Sequence, residues 1–570
     1  MIGEVAGNCR IGSSISTMHT INRFLITLIL GISSTLAAAS DIDALRQLAG
    51  AEDAMRRGDY AAAVDSYVSA AEAGAGMESA RQATITAFEF GFDEQTVRAA
   101  AAWRKSAKWP DDADTYAAMA LTRAGNVDPA IKRFTALFGK TSDPDAICDL
   151  AEEGLIRETR AQHLDMVFSR LAKKFKSTPC VLRIAATGAV ALEEYERADT
   201  YFAQLRNLKA FGNDARLLAI ARYVRDEKTD QAFTDPLLRL DDEATVKQQI
   251  ELAALNATAE DNQNALNMLL QLQAENPKDG DVLEALALAQ LQAGEAEASR
   301  ATLTQLLGSG KKTSSALFYL ARFAESERRV DQALRMYSQV DSGDLVVAAQ
   351  QRAAALIRQQ DGLPAALQHI DDFVERHPRY GLSLSVSRAS LYAAGEYYDQ
   401  ALSLYDDYLL VKPKAEFAML ARADVLLRSD NLDGALDAFR GVVKSYPESS
   451  SALNALGYTL ADRTKKYREA ERLIDKALDK DPENAAIIDS KGWVLYKRGK
   501  LKQAREYLEK AWEQYQDAEV AAHLGEVMWR MGEEDEARKL LEEAYRRAPD
   551  DDVLRETIRR LMEDGPATRS

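Results

Sequence analysis

At 570 residues the chain outgrows a single hydrophobic core. With 46 % apolar side chains most of it should fold, as several domains or as a repeat array. Abundant Ala and Leu, 7 % aromatics and 13 prolines favour helices over sheets, and a formal net charge of −17 with no Lys/Arg-rich cluster excludes a phosphate-tracking surface and nucleic acid as partner.

The chain opens with export features. Residues 18–23 form a short, weakly basic lead and residues 24–32 an apolar run. Leu36-Ala37-Ala38-Ala39 then offers small residues for cleavage before Ser40. Residues 1–39 are therefore expected to be a signal peptide, with Met18 as an alternative start, and the run is too short to span a bilayer. The mature chain is expected in the periplasm or associated with the outer membrane, with no transmembrane segment. Cys9 precedes the apolar run and Ser40 follows Ala39, so there is no lipobox Cys. The mature chain keeps Cys148 and Cys180, which either pair in an oxidising compartment or remain two buried thiols. No zinc-type spacing of cysteines occurs.

From residue 40 on, the sequence repeats itself. Gly492, Gly499, Ala504, Leu508 and Ala511 recur as Gly525, Gly532, Ala537, Leu541 and Ala544, each 33 residues later. Small residues let paired helices approach closely, and proline ends the second helix because it lacks the N–H that would continue it. Stepping back from Ala537 by 33 to 35 residues gives Ala504, Ala470, Ala435, Ala401, Ala366, Ala333, Ala298 and Ala265. The series continues through Ala232, Ala198, Leu164, Ala130, Val97 and Ala63. The pattern resembles the tetratricopeptide consensus, and the resemblance implies a right-handed superhelical, all-α solenoid of tetratricopeptide-type hairpins. Degenerate repeats fill 40–262, clear repeats 263–551, and a capping helix with a tail 552–570. Fifteen units would leave no stretch of these residues for a catalytic domain, so no enzyme activity and no cofactor are expected.

Catalytic motifs fail in turn. Gly308-Ser309-Gly310-Lys311-Lys312-Thr313 lacks the Gly-Lys-Ser/Thr order of a phosphate loop and is expected to be an inter-repeat turn. His369 and His377 have no acidic or Cys partners at ligand spacing, so no metal site is expected. What remains is surface. First-helix positions 2, 5, 9, 12 and 13 of such repeats line the concave groove. In the last three repeats this gives Tyr458 and Asp462; Asp489, Trp493, Tyr496 and Lys497; and Glu526, Trp529 and Arg530. Large amphipathic rings among charges are typical binding anchors, although the same rings would also serve to pack neighbouring first helices. The Lys/Asn pattern of a carboxylate clamp is not met, since Asn454 and Tyr458, Asp489 and Trp493, and Ala522 and Glu526 hold those places.

The segments Leu456-Gly457-Tyr458-Thr459-Leu460-Ala461-Asp462-Arg463-Thr464, Asp489-Ser490-Lys491-Gly492-Trp493-Val494-Leu495-Tyr496 and Ala521-Ala522-His523-Leu524-Gly525-Glu526-Val527-Met528-Trp529 are more particular than generic repeat sequence. Together they resemble the C-terminal signature of proteobacterial cell-envelope tetratricopeptide proteins. That family includes the outer-membrane lipoprotein partner of a carboxyl-terminal processing protease. The resemblance implies an adaptor that presents substrates, such as cell-wall hydrolases, to a protease. The rival expectations are a scaffold for envelope or polysaccharide-export assembly and a regulatory partner of an enzyme supplied in trans.

Overall fold

A computed structural model describes residues 39–57, 59–106, 111–155, 159–549 and 551–563. The expected signal peptide up to residue 38, with Met18 and Cys9, and the tail 564–570 lie outside them. Every regular element among the described residues is helical. The helices pair in sequence order, from Ala39–Arg57 with Tyr60–Glu72 to Ala518–Arg530 with Glu534–Arg547, giving fifteen hairpins; a short helix, Asp552–Ile558, follows.

One rule places the second helix of each hairpin. Its fourth residue is small in fourteen of the fifteen cases and is buried in all of them: Ala63, Ala130, Ala198 and Ala504, for example, have no exposed surface. A larger side chain there would hold the paired helices apart. Two of the expected positions shift by one residue. Thr96, not Val97, fills the place in Asp93–Ser106, and Ser299, not Ala298, fills it in Ala296–Gly308. Both are small polar residues whose hydroxyls are satisfied locally, Thr96 donating to the Phe92 carbonyl at 2.8 Å and Ser299 to the Ala287 carbonyl at 2.7 Å. A search for Ala alone passes over them. Leu164 is the large exception, still buried.

Most of the described turns inside hairpins hold a left-handed residue, although the turn from Thr464 to Lys466 does not. Glycine supplies it at Gly125, Gly294, Gly499 and Gly532; Glu193, Glu227, Glu260, Arg328, Glu396 and Asp430 adopt it elsewhere, at φ between 56° and 65°.

The described residues up to Leu384 pack as one compact unit of ten hairpins, and those from Ser385 as a second, whose first helix, Gly381–Ala394, begins just before that division. In the first unit the largest apolar cluster runs from Phe88 to Leu238 and includes Phe134, Phe168, Phe202, Cys148 and Cys180. The sixth hairpin departs most from the pattern: its second helix, Thr229–Thr234, has six residues and gives way to a 3-10 turn at Pro236–Leu238. The expected division at residue 262 falls inside the seventh hairpin, between Val246–Thr258 and Asn262–Glu275. These two helices bury Ile250 and Ala253 against Leu266 and Leu269, so neither stands without the other.

Candidate protein-binding face

In the second unit, the last three hairpins begin with helices Ser450–Arg463, Ala485–Lys497 and Ala518–Arg530. Each is started by a side-chain cap: Ser449 accepts from the Ala452 amide, Asn484 from Ala486 and Asp517 from Glu519. Glycines then commit one face of each helix to its hairpin partner. A Cβ on Gly457, Gly492 or Gly525 would lie 2.5–2.7 Å from Ile474, Leu508 or Leu541. The residues beside those glycines are left to face the neighbouring first helices.

There they form one connected polar and aromatic cluster. The Tyr458 hydroxyl donates to Glu519 Oε1 at 2.5 Å, crossing from the first of the three helices to the third. Trp493 Nε1 donates to Asp462 Oδ1 at 3.1 Å. One face of the Trp493 ring stacks on His523 at 4.0 Å between centroids, and Tyr496 stacks on it at 5.0 Å. The Lys497 ammonium lies 4.3 Å from the same ring and 3.6 Å from Asp462. His523 Nδ1 reaches both oxygens of Asp489, at 3.0 and 2.9 Å. The Tyr496 hydroxyl donates to Glu526 Oε1 at 2.6 Å, and Arg560, on the 3.0 Å approach of its Nη1, closes on the same carboxylate from the end of the chain.

Burial sets the electrostatics. Burial works against charge on His523, but Asp489, Glu519 and Asp462 outweigh it and hold its pKa above the usual value. Burial pushes the Glu519 carboxyl up, partly offset by the Tyr458 hydrogen bond and His523. Tyr458 is pushed up by burial and by Glu519, and Tyr496 to about 12 by burial and Glu526. Glu526 goes the other way: burial opposes its charge, yet Arg560 and Tyr496 hold its carboxyl below the usual value.

The structure therefore brings together Tyr458, Asp462, Asp489, Trp493, Tyr496, Lys497 and Glu526. Trp493, Asp489 and Glu526 are 6 % exposed, so they hold the helices in register and are not open anchors. Tyr496, Lys497 and Asp462 are half-buried, and Arg530 is exposed. Trp529 stands apart, packed with Leu540 and below Arg538 of the last second helix. Sequence reasoning missed Glu519, His523 and Arg560. Glu519 occupies position 2 of its repeat, so the groove rule could have found it; His523 lies one residue past position 5 and Arg560 beyond the repeats.

Elsewhere the sequence's weaker motifs resolve into packing. Residues 309–312 join two hairpins, and the Lys312 ammonium pairs with Asp281 at 2.9 Å. His369 bonds Gln350 at 2.8 Å and His377 stacks on Phe373. Among the described residues no three His, Cys, Asp or Glu side chains gather as a metal site, and no helix is long and apolar enough to cross a membrane.

Hairpins of this geometry define a repeat array, and the comparisons give its kind. Residues 252–312, 386–450, 420–485, 463–522 and 495–561 match tetratricopeptide-repeat family models, so these stretches carry tetratricopeptide repeats. A TPR repeat-containing protein of Pseudomonas aeruginosa, PA4667, is 42 % identical over 247 residues, covering 43 % of this chain; the chain spans less than half, 42 %, of that relative's length. Yeast Tom70 is similar over 92 % of this chain and 96 % of its own, at 15 % identity and a TM-score of 0.35. Pseudomonas aeruginosa pilF is similar over 37 % of this chain and 95 % of its own, at 16 % identity and a TM-score of 0.29.

Proposed function

We propose that the chain is a non-catalytic adaptor of the bacterial periplasm or envelope, presenting substrates such as cell-wall hydrolases to a carboxyl-terminal processing protease. The observation that carries the reading is the polar and aromatic cluster joining the first helices of the last three hairpins. Buried Trp493, His523 and Asp489 fix those helices side by side, and Tyr496, Lys497 and Arg530 remain within reach of solvent beside them. Affinity at such a face comes from a few rigid rings and charges on a pre-organised surface. The export features of residues 1–39 support a location where a processing protease and wall hydrolases meet.

The test is reconstitution. Purified residues 40–570 are added to the processing protease of the same organism with a cell-wall hydrolase as substrate. Hydrolase cleavage should accelerate at least tenfold (about 1.4 kcal/mol of coupling). The Lys497→Ala/Arg530→Ala double variant should lose most of that acceleration with an unchanged melting curve. Cleavage indifferent to the added chain would overturn the presentation reading.

A further inference from the structure

Among the described residues two cysteines occur, Cys148 and Cys180, and they meet. Cys148 lies in Pro144–Leu155 and Cys180 at the start of Pro179–Ala191, the first helices of the fourth and fifth hairpins. Their Cα atoms are 5.9 Å apart, within the span a disulfide bridges without moving the backbone, and the structure joins them. Neither residue has any exposed surface; Ile147, Ala151, Val181 and Ile184 are buried in the same apolar cluster.

We propose that Cys148 and Cys180 are an oxidation site, and that their disulfide staples the fourth hairpin to the fifth within the stretch that departs most from the repeat pattern. The location supports it. The stretches that match tetratricopeptide models begin only at residue 252. Upstream, Leu164 fills the small-residue place of the fourth hairpin, and the second helix of the sixth has only six residues. In an array each hairpin is held by its neighbours alone, so a bond between two neighbours adds a covalent tie to the interface they share.

The bond forms by exchange with a protein disulfide donor. The thiolate of one cysteine attacks the donor's disulfide and releases one donor thiol. The other cysteine's thiolate then attacks the mixed disulfide and releases the donor as a dithiol. Two electrons pass from the cysteine pair to the donor. Because both sulphurs are sealed in the folded core, exchange precedes closure of these hairpins, and reductants outside do not reach the finished bond.

The test is alkylation of the native protein. The full chain, recovered from its own organism under acid quench, is denatured without reductant and treated with a maleimide. The residues from 40 on should take up no label before reduction and two labels after it, with a peptide map linking the two cysteines. Cys148→Ser and Cys180→Ser should each lower the melting temperature by the same several degrees, and the double variant by no more than either. Two labels without reduction would overturn the staple, even with the protein in the envelope fraction; so would single variants that melt with the wild type. Loss of hydrolase presentation with the disulfide intact would strike the functional reading alone.

Discussion

His523 is the residue on which the cluster turns. It is buried, bonded to both Asp489 oxygens and stacked on Trp493, with Glu519 and Asp462 adding negative potential. Its folded pKa is raised, so its charged form contributes stability that is complete below the unfolded value near 6.5 and is lost as pH rises through the higher folded value. His523→Gln leaves Asp489 buried without its cation and should cost about 3–5 kcal/mol at pH 6. Melting curves from pH 6 to 9 should therefore show the gap between wild type and variant narrowing upward; parallel curves would refute the charged pair. Tyr458→Phe removes the hydroxyl donor from Glu519 and should cost about 1–3 kcal/mol, because a buried acceptor is left unmade. Tyr458, Asp489 and Trp493 were legible from repeat position alone. Their partner His523 was not, because a repeat template assigns no polar role to the residue one past position 5.

At the scale of the helix, glycines of one composition have opposite roles. Gly492 faces Leu508 Cγ at 2.5 Å and the Ala504 carbonyl at 3.1 Å, so Gly492→Ala should overpack the hairpin and destabilise by about 1–3 kcal/mol. Gly441, in the interior of Leu432–Ser445, is exposed with open space where a Cβ would go. Gly441→Ala should instead stabilise by about 0.5–1 kcal/mol, through helix propensity. Urea unfolding of the two variants checks the opposite signs. The same distinction explains which parts of the fold the sequence made readable. Where Ala or Gly fills the crossing place, the helix boundaries follow from spacing. At Thr96 and Ser299 the place is kept but the letter changes, and the register slips by one residue. At Thr229–Thr234 the helix itself is cut short by Pro236, and no periodicity announces that.

Across the molecule, a hairpin's stability depends on its own pairing and on its neighbours, as a one-dimensional sum. Perturbations should therefore stay local. The Cys148–Cys180 bond closes a loop with a sequence separation of 32, which in chain-entropy terms contributes about 3–4 kcal/mol. That contribution should appear as amide protection in the helices from Pro144–Leu155 to Tyr195–Asn207 and their immediate neighbours. The His523–Asp489 pair acts in the last three hairpins, where Tyr458 and Glu519 tie the first of the three helices to the third. Raising the pH from 6 to 9 should accelerate exchange within residues 450–563 by more than the rise in the intrinsic chemical rate, and within residues 144–207 by that rise alone. Reduction under mild denaturant should do the converse. Hydrogen exchange read by mass spectrometry separates the two segments in one experiment. Protection lost in both segments under either treatment would mean that the array opens as one cooperative body, and the nearest-neighbour account would fail. Protection lost segment by segment would leave the cluster of the last three hairpins free to respond to pH while the stapled hairpins stay closed.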